Sequence, residues 1–345
     1  MTRSSFAARI VAWQRTYGRH DLPWQNTRDP YRIWLSEIML QQTRVATVIP
    51  YYTPFLAEFP DVGVLAAAPL ARVLEHWSGL GYYRRAHHLH AAAKVVVADF
   101  GGVFPLAAEV IATLPGIGPS TAAAVATFAG GARAPILDGN VKRVLARHHG
   151  VDGFPGAARV EAQLWRVAES LLPACDAGPY AQGLMDLGAT VCTRMRPRCG
   201  DCPVAADCVA RATARIDQLP SPRPRRVLPQ RVVRVLLIER AGEILLEHRP
   251  AVGIWGGLWS LPEVAPGDDV ARHCRSRFGA IVDAGAELPA IEHGFTHYRL
   301  TILPQRIAVR SWPPRAESPG LTWLTRADAA TAALPAPIRK LLRAL

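Results

Sequence analysis

The sequence predicts a two-domain protein, with an all-α domain followed by an α+β domain. Three observations support this prediction. A chain of 345 residues is longer than one typical domain. Up to about residue 190, apolar residues recur with the period of a helix between Pro and Gly breaks, and no strand pattern appears. Beyond a stretch rich in Pro and Arg, the apolar period shifts toward two, which is typical of strands.

The helices of the first domain can be placed from their capping residues and apolar faces. Ser4 or Ser5 is a good N-cap for a helix that ends at Gly18, and Asp29 with Pro30 starts the next helix. The same periodicity predicts further helices at residues 44–57, 69–77, 82–99, 105–113, 119–129, 139–148, 158–171 and 178–190.

The linker and the second domain differ from the first domain in composition. Residues 211–230 are rich in Pro and Arg and carry no apolar period, so we predict a semi-extended linker between domains at 1–210 and 231–345. The second domain is expected to contain a hairpin, two further strands and a single helix. These elements are predicted at residues 231–238 and 243–247, 301–309, 321–324 and 269–278.

The charge and the N-terminus limit the class of protein. A net charge of +12 and a sequence pI near 10.0 favour a polyanionic partner, most commonly nucleic acid, over a charge that only keeps the protein soluble. No stretch approaches the roughly 18 consecutive apolar residues of a membrane span. Arg9 and Gln14 interrupt the apolar core that a signal peptide needs. We therefore expect a cytoplasmic monomer with no membrane partner, associated with the nucleoid if the cell is bacterial.

The stretch from Leu114 to Val144 holds the strongest local pattern. A Leu-Pro-Gly-Ile-Gly turn at residues 114–118 separates a helix ending near Thr113 from an Ala-rich helix that Gly130-Gly131 stops. Two glycines ahead of a helix N-terminus let backbone N–H groups point outward together and hold a phosphate oxygen without contacting a base. A plain connection between helices explains the glycines equally well.

Two acidic residues lie where their surroundings should shift their pKa values. Glu37 shares an apolar helix stripe with Ile33 and Leu40, so burial should raise its pKa. Asp138 precedes a helix, where the dipole and free N–H groups should lower its pKa. Carboxyl groups shifted in opposite directions suit acid-assisted cleavage of a C–N glycosidic bond. The simpler explanations are a partly exposed helix residue for Glu37 and an ordinary N-cap for Asp138.

Four of the six cysteines are clustered in a short segment. With the spacing C-x6-C-x2-C-x5-C, the cluster predicts a metal site and consists of Cys192, Cys199, Cys202 and Cys208. Zinc usually binds two close pairs, whereas only Cys199 and Cys202 form such a pair, so the spacing alone leaves zinc open as an alternative. Cys175 and Cys274 stand apart, and we expect both to be small buried residues.

These motifs resemble those of one enzyme family. LPGIGPSTA (residues 114–122) followed by PILDGNVKRV (residues 135–144) resembles the helix-hairpin-helix and Gly/Pro…Asp element of the DNA glycosylase superfamily that includes endonuclease III. Ser120 and the DGNVKR run are similar to the MutY-type adenine DNA glycosylase branch, and the resemblance covers about residues 5–310. Endonuclease III-type members carry the lysine of the lyase step at the position of Ser120. The resemblance therefore implies a mainly monofunctional glycosylase.

The resemblance implies a catalytic centre of four residues. LSEIMLQQT (residues 35–43) matches the family pattern and places the catalytic acid on Glu37, which would protonate N7 of adenine. Asp138 matches the family's aspartate, which stabilises the oxocarbenium ion or traps it covalently before water completes the reaction. Asn140 and Ser120 match positions that hydrogen-bond near the sugar and its water, although helix capping explains Ser120 nearly as well.

An extruded base leaves a gap in the duplex. The resemblance implies which residues contact the DNA around this gap and which residues line the pocket for the extruded base. By resemblance, Gln42 and Tyr82 insert beside the opposing base, although a Tyr that follows Gly is often packed in the interior. The remaining residues expected at the DNA are Leu114, Gly116, Gly118, Arg194 and Arg196. The residues expected to line the adenine pocket are Leu22, Trp24 and Gln182.

The cysteine loop and the second domain also resemble elements of this family. The gaps in the loop at residues 192–208 resemble those of the [4Fe–4S] loop, which implies one such cluster with a structural role. GGLWSLPE (residues 256–263) resembles the start of a Nudix fold, but residues 271–276 lack the carboxylates that bind magnesium in a Nudix hydrolase. The family uses this domain to recognise 8-oxoguanine. The recognition turn matches Phe295, Thr296 and His297, with Thr296 where Ser is common; surface exposure alone also explains His297.

The resemblance as a whole implies a base-excision repair enzyme. It would remove adenine opposite 8-oxoguanine or guanine from double-stranded DNA and leave an abasic site. A related glycosylase for thymine or oxidised pyrimidines is a second possible enzyme, but such enzymes generally lack a second domain. A non-catalytic lesion-binding protein, in which both acids are structural, is possible as well. A nucleotide pyrophosphatase is disfavoured by the missing magnesium ligands.

Overall fold

Contacts divide the chain into two compact units. The computed structural model describes residues 5–224, 227–250, 253–313 and 320–345. The first unit consists of Met1–Ala67 and His88–Arg225, and the second consists of Ala68–His87 and Arg226–Leu345. The segment Ala68–His87 therefore packs with the second unit, although the sequence pattern placed it inside a contiguous first domain. The boundaries at 1–210 and 231–345 stay a prediction.

Helices form all of the regular structure in the described residues before Gln230, as the sequence predicts. They are α1 (Phe6–Tyr17), α2 (Pro30–Leu40), α3 (Val45–Glu58), α4 (Val62–Ala67), α5 (Leu70–Trp77), α6 (Arg84–Phe100), α7 (Ala108–Ile111), α8 (Pro119–Gly130), α9 (Gly139–His149), α10 (Ala158–Ser170), α11 (Ala177–Asp186) and α12 (Val209–Ala212). A π-helical turn, Leu187–Val191, continues α11, and two short 3-10 helices lie at Cys199–Asp201 and Ala205–Asp207. Among the residues described, every helix is too short or too polar to cross a lipid bilayer.

Several helix starts follow the predicted capping residues, and the helices that differ most from the prediction are short. Ser5 caps α1 by accepting from the Ala8 N–H at 3.2 Å, and Asp29 caps α2. The predicted helix at 105–113 is reduced to α7, because tight bonds such as Thr113 N–H to the Val110 carbonyl at 3.1 Å end it early. The six-residue helix α4 was not predicted, since it spans less than two turns and gives little periodicity.

A hydrophobic core in the first unit joins α1, α9, α10 and α11. Its fully buried members include Ile10, Val141, Leu145 and Leu164. At Gly183 a Cβ would lie 2.8 Å from Cγ2 of Ile10, so α1 and α11 approach each other closely only because this residue is glycine. The core thereby fixes the start of α9 and one face of α11 relative to each other.

The second unit contains an eight-stranded mixed sheet. The strands are β1 (Gln230–Arg240), β2 (Glu243–His248), β3 (Trp259–Ser260), β4 (Glu263–Val264), β5 (Ile281–Glu287), β6 (Ile291–Gly294), β7 (Arg299–Ser311) and β8 (Leu321–Thr325). The central order is β3-β2-β1-β7-β5, with β1 parallel to β7 and the other pairs antiparallel. The predicted hairpin of β1 and β2 is confirmed, with Arg240 opposite Glu243.

The sequence prediction fails for the number of helices in the second unit and for one of the two isolated cysteines. Besides α13 (Val270–Phe278), it contains α14 (Arg326–Thr331) and α15 (Ala336–Arg343), so the expectation of a single helix is wrong. Pro335 and Pro337 obscure α15 in the sequence, yet Pro is well tolerated in a first helical turn. Cys274 is buried on α13 as expected, whereas Cys175 is exposed in the loop before α11, so that expectation is wrong.

Candidate active site

A cleft of about 1430 Å³ lies in the first unit. It is lined by every residue predicted for the catalytic centre and the adenine pocket. These residues are Glu37, Asp138, Asn140, Ser120, Leu22, Trp24 and Gln182. They come from α2, α8, α9, α11 and the segments before α2 and α9, and the fold places them around one space.

Glu37 lies on α2, between buried apolar residues of the same helix. Burial, followed by the negative charge of Asp138, raises the pKa of Glu37 to about 7. The direction agrees with the expectation from the apolar stripe. A carboxyl group with this pKa is protonated in about half of the molecules near neutral pH, so it can act as a general acid there.

Asp138 is the N-cap of α9. It accepts a hydrogen bond from the Val141 N–H at 2.7 Å and a second one from the Asn140 side chain at 3.3 Å. Burial nevertheless raises the pKa of Asp138, because it outweighs these hydrogen bonds and the nearby charge of Arg143. The expected lowering of this pKa is therefore wrong. The cap was predictable from the sequence, whereas the burial depends on segments distant in the chain.

Ser120 connects the start of α8 to the segment before Asp138. Its Oγ accepts a hydrogen bond from the Leu137 N–H at 3.0 Å. The N-cap of α8 is Gly118, and this cap makes no side-chain hydrogen bond. The alternative explanation, that Ser120 caps α8, is therefore not supported, and its hydroxyl oxygen instead fixes the backbone that carries the aspartate.

Arg143, which the sequence pattern did not assign to the site, orients Asn140. Its guanidinium donates to Oδ1 of Asn140 at 2.9 Å, to the Gly188 carbonyl at 2.7 Å and to the Cys192 carbonyl at 2.8 Å. The amide of Asn140 is thereby held with its nitrogen toward Asp138. Arg143 lies within the DGNVKR run, so the motif contained the residue without indicating its partners.

Gln182 is oriented by a second group that the sequence did not indicate. Asp186 is fully buried and accepts hydrogen bonds from the Arg19 N–H at 2.9 Å, from Nε of Arg19 at 2.7 Å and from Nε2 of Gln182 at 2.8 Å. Because the amide nitrogen of Gln182 points to this carboxylate, its amide oxygen is the end that can accept a hydrogen bond from a ligand.

The residues predicted at the DNA differ in their exposure. Gln42 is exposed with φ of 55°, and Tyr82, in the second unit, is 48% exposed with φ of 50°. Gly116 is exposed with φ of 78°, and a Cβ there would lie 2.5 Å from Cβ of His88, so the turn requires glycine. Gly118 is also exposed.

The other residues expected to contact DNA are Leu114, Arg194 and Arg196, and they also differ in exposure. Leu114 is only 2% exposed, and its N–H donates to the Ile111 carbonyl at 3.1 Å. The expectation that Leu114 contacts DNA is therefore not supported, because both its side chain and its amide have partners inside the protein. Arg194 and Arg196 are exposed in the cysteine loop, as a phosphate contact requires.

The four clustered cysteines line one small void in the first unit. Within the described residues, no three His, Cys, Asp or Glu side chains are arranged to hold one metal ion. Burial raises the pKa of the Cys202 thiol to about 11.

A buried arginine holds the backbone of the cysteine loop. Arg147 donates to the Thr193 carbonyl at 2.7 Å, to the Arg194 carbonyl at 3.1 Å and to Sγ of Cys192 at 3.4 Å. A guanidinium at this position would stabilise negative charge on the sulfur of Cys192. The same bonds fix the part of the loop that presents Arg194.

The predicted recognition turn connects β6 to β7 in the second unit. The Phe295 N–H donates to the Tyr298 carbonyl at 2.9 Å, and the two rings stack with centroids 4.5 Å apart. The Trp255 ring lies 5.5 Å from Phe295. Thr296 and His297 are exposed at the tip. The sequence pattern indicated the turn but not the aromatic residues, Trp255 and Tyr298, that pack against it.

Comparisons with known proteins match both parts of the chain. Residues 35–170 match the HhH-GPD superfamily of base excision DNA repair proteins, and residues 234–344 match a NUDIX domain. An adenine DNA glycosylase from Buchnera aphidicola (subsp. Acyrthosiphon pisum) is 33% identical over 99% of this chain and 98% of its own length. The human adenine DNA glycosylase is 32% identical over 99% of this chain and 74% of its own length.

Solved structures match part of the chain. A thermostable thymine-DNA glycosylase has a TM-score of 0.55 and 32% identity, and the match covers 60% of this chain and 95% of that protein. A non-covalent complex of endonuclease III with DNA has a TM-score of 0.51 and 19% identity over 59% of this chain and 92% of that one. At this identity, the second likeness shows the fold alone.

Proposed function

The chain belongs to the adenine DNA glycosylase family, and from this membership we propose how it removes adenine in base-excision repair. We propose that its substrate is adenine opposite 8-oxoguanine or guanine in double-stranded DNA, and that its product is an abasic site. One observation carries the catalytic part of the proposal. Glu37 and Asp138 line the same cleft, and the pKa of Glu37 is raised to about 7.

In the proposed reaction the two carboxyl groups have different roles. Neutral Glu37 donates its proton to N7 of the extruded adenine, and the bond between C1′ and N9 then breaks with its electron pair staying on the purine. The carboxylate of Asp138 stabilises the oxocarbenium ion that remains on the sugar or traps it covalently for a short time. Water then adds to C1′ and loses a proton, which completes the hydrolysis.

The neighbouring polar groups support these roles by orientation. Arg143 and Asn140 hold Asp138 at the start of α9, and Ser120 holds the backbone one residue before it. Such preorganised contacts lower the cost of reaching the transition state, because they need no rearrangement when charge develops. We therefore assign Asn140 and Ser120 to the centre, close to the sugar and its water.

The proposed adenine pocket is formed by one polar and two apolar side chains. The amide oxygen of Gln182 can accept a hydrogen bond from the exocyclic amino group of adenine, because its nitrogen is bound to Asp186. Leu22 and Trp24 line the same cleft and are nearly buried, so both offer apolar contact to the base, and the ring of Trp24 offers a flat surface. A base with a carbonyl oxygen in place of this amino group would set that oxygen against the amide oxygen of Gln182. Both atoms are hydrogen-bond acceptors, so no hydrogen bond would form.

DNA binding is proposed for residues on exposed turns and loops. Gln42 and Tyr82 would fill the space left by the extruded base, and Gly116 and Gly118 would hold a phosphate through their backbone N–H groups. Arg194 and Arg196 would contact phosphates. Their exposure and the net charge of +12 support this assignment. An enzyme that acts on genomic DNA in a bacterial cell would be found with the nucleoid.

We propose that the cysteine loop holds one [4Fe–4S] cluster, as is general in the endonuclease III and MutY-type families. Its ligands would be Cys192, Cys199, Cys202 and Cys208, which line one void. When bound, the cluster would supply structure and no redox step, by joining four points of the loop. The loop can then present its arginines to DNA in a fixed conformation.

The second unit is proposed to recognise 8-oxoguanine. Phe295, Thr296 and His297 form the tip of the β6–β7 turn, and the stacked ring of Tyr298 gives the turn a rigid base. Thr296 keeps the hydroxyl of the more common Ser and can hydrogen-bond to the oxidised base. Residues 271–276 form part of α13 and contain no carboxylate, so we propose binding and not pyrophosphate hydrolysis for this unit.

A related thymine glycosylase is the strongest competing function, because one solved structure of that activity is 32% identical and covers 60% of the chain. The adenine glycosylases match 99% of the chain, including the second unit, and therefore fit better. The test uses duplexes with A, T or 5-hydroxycytosine opposite 8-oxoguanine or G. Release of free adenine alone is expected, and release of thymine without adenine would reject the proposed substrate.

A further inference from the structure

The turn that carries Tyr82 has an unusual backbone. It joins α5 to α6, and Gly79, Gly81 and Tyr82 have φ values of 104°, 78° and 50°. Glycine adopts such values readily, but Tyr82 does so only when its surroundings compensate for the strain. The exposed tyrosine is thus held in a conformation that its own residue type disfavours.

Residues next to the turn provide part of the contacts that compensate for the backbone strain at Tyr82. Nε1 of Trp77 and the guanidinium of Arg85 donate to the Gly81 carbonyl at 3.1 and 3.0 Å. The guanidinium of Arg85 also lies 5.2 Å from the ring centre of Trp77 and 5.5 Å from that of Tyr82. Arg85 is only 8% exposed, so these cation–π contacts are largely shielded from water.

Further hydrogen bonds that stabilise the strained turn come from a segment about 250 residues later in the chain, in the same unit. The Leu334 carbonyl accepts hydrogen bonds from Oγ of Ser78 and from the hydroxyl of Tyr83, both at 3.2 Å. The Tyr83 hydroxyl in turn accepts from the Gly79 N–H at 3.1 Å. One buried carbonyl near the C-terminus thus connects both ends of the turn.

Arg339 of α15 is the central charged residue of this contact. It donates to the Ser78 carbonyl at 3.0 Å, to Oγ of Ser78 and to the Ala332 carbonyl at 3.1 Å. Ser78 is the C-cap of α5, where backbone carbonyls lack partners within the helix. A guanidinium at this helix end satisfies the carbonyl and interacts favourably with the helix dipole.

We propose that Arg339 is a positioning residue for Tyr82. Through Ser78 it fixes the end of α5 and the conformation of the turn, so the segment from Ala332 to Arg339 sets how Tyr82 is presented to the duplex. This proposal rests on the proposed contact of Tyr82 with DNA. It also means that the second unit supports the insertion of Tyr82 in addition to its proposed recognition of 8-oxoguanine.

The first test measures the turn in the free, full-length protein and does not depend on activity. We expect Arg339→Ala to speed the hydrogen exchange of the Gly79 amide by about tenfold or more, because a charged donor is lost. Lys340→Ala removes the same charge from an exposed neighbour on α15 and should leave this exchange unchanged. Unchanged exchange in Arg339→Ala would overturn the proposal. If Arg339→Ala does not fold, Arg339→Lys is used, and it should give a smaller increase.

The second test is a double-mutant cycle with Tyr82→Ala on a duplex containing A opposite 8-oxoguanine. Arg339→Ala alone should slow single-turnover adenine release by about tenfold, and it should have no further effect when Tyr82 is already replaced. Additive effects would show that Arg339 acts elsewhere and would overturn the proposal. If the wild-type protein released no adenine, the proposed function would fail, whereas the exchange experiment would still decide whether Arg339 holds the turn.

Discussion

Glu37 and Asp138 line the same cleft, and the charge of Asp138 acts together with burial to raise the pKa of Glu37 to about 7. The pKa of Asp138 is itself raised by burial, against the effect of its hydrogen bonds. Two carboxyl groups that share a buried site cannot both carry a charge without cost. The site therefore favours one protonated group and one carboxylate, as the proposed mechanism requires.

The rate of adenine release should depend on pH through Glu37. Because its pKa is raised to about 7, the protonated, active form predominates below this pH and is lost above it. Single-turnover release should therefore fall by about tenfold per pH unit once the pH exceeds about 7. Asp138→Asn removes the neighbouring charge and should move the remaining profile to lower pH. A wild-type rate that stays constant between about pH 6 and 9 would contradict the role of Glu37 as the acid.

Glu37→Gln should abolish base release and retain binding to the duplex. The amide has nearly the same shape as the carboxyl group but has no proton to donate to the base. Free adenine is measured after incubation with an A·8-oxoguanine duplex, and affinity is measured by fluorescence anisotropy on the same duplex. Substantial adenine release by this variant would reject Glu37 as the proton donor.

Asp138→Asn separates the capping role of this residue from its proposed catalytic role. Asparagine is as good an N-cap as aspartate, so the free energy of unfolding should change little, while adenine release should fall by about a thousandfold. Asp138→Ala should lose the same activity and, in addition, about 1 kcal/mol of stability. Thermal unfolding measures the stability of both variants, and single-turnover kinetics measures their activity. An active Asp138→Asn variant would contradict the catalytic role and would leave Asp138 with its capping role alone.

Cys199→Ser should remove one ligand of the proposed cluster. We expect the purified variant to lose absorbance at about 400 nm and most of its iron. Cys175→Ser is the matched control, because Cys175 is exposed and does not line the void, so its spectrum should remain that of the wild type. Elemental analysis that finds zinc in place of iron in the wild-type protein would overturn the cluster assignment.

Thr296→Ala should weaken the preference for 8-oxoguanine. Loss of the hydroxyl removes a hydrogen bond to the oxidised base, worth about 1 kcal/mol, so the ratio of rates for A·8-oxoguanine and A·G duplexes should fall about fivefold. Thr296→Ser keeps the hydroxyl and should keep the ratio. An unchanged ratio in Thr296→Ala would argue against this turn as the recognition site.

The sequence by itself determined where most helices begin and which residues form the motifs. Ser5, Asp29 and Asp138 cap the helices that they were expected to cap, because a cap depends on residues only a few positions away. The order of an all-helical part and a mixed part was also predictable, since it follows from a change in apolar period along the chain. The residues that line the cleft were assigned by resemblance.

Only the tertiary structure decided the properties that depend on distant partners. Burial raises the pKa of Asp138, although its position at a helix start predicted a lowered pKa. The fold also buries the side chain of Leu114, which was expected to contact DNA. The support of the Tyr82 turn by Arg339 joins residues more than 250 positions apart, and no local pattern indicates it. The physical reason is the same in each case: desolvation and hydrogen bonding are set by whichever segments the fold brings together, and local sequence does not contain that information.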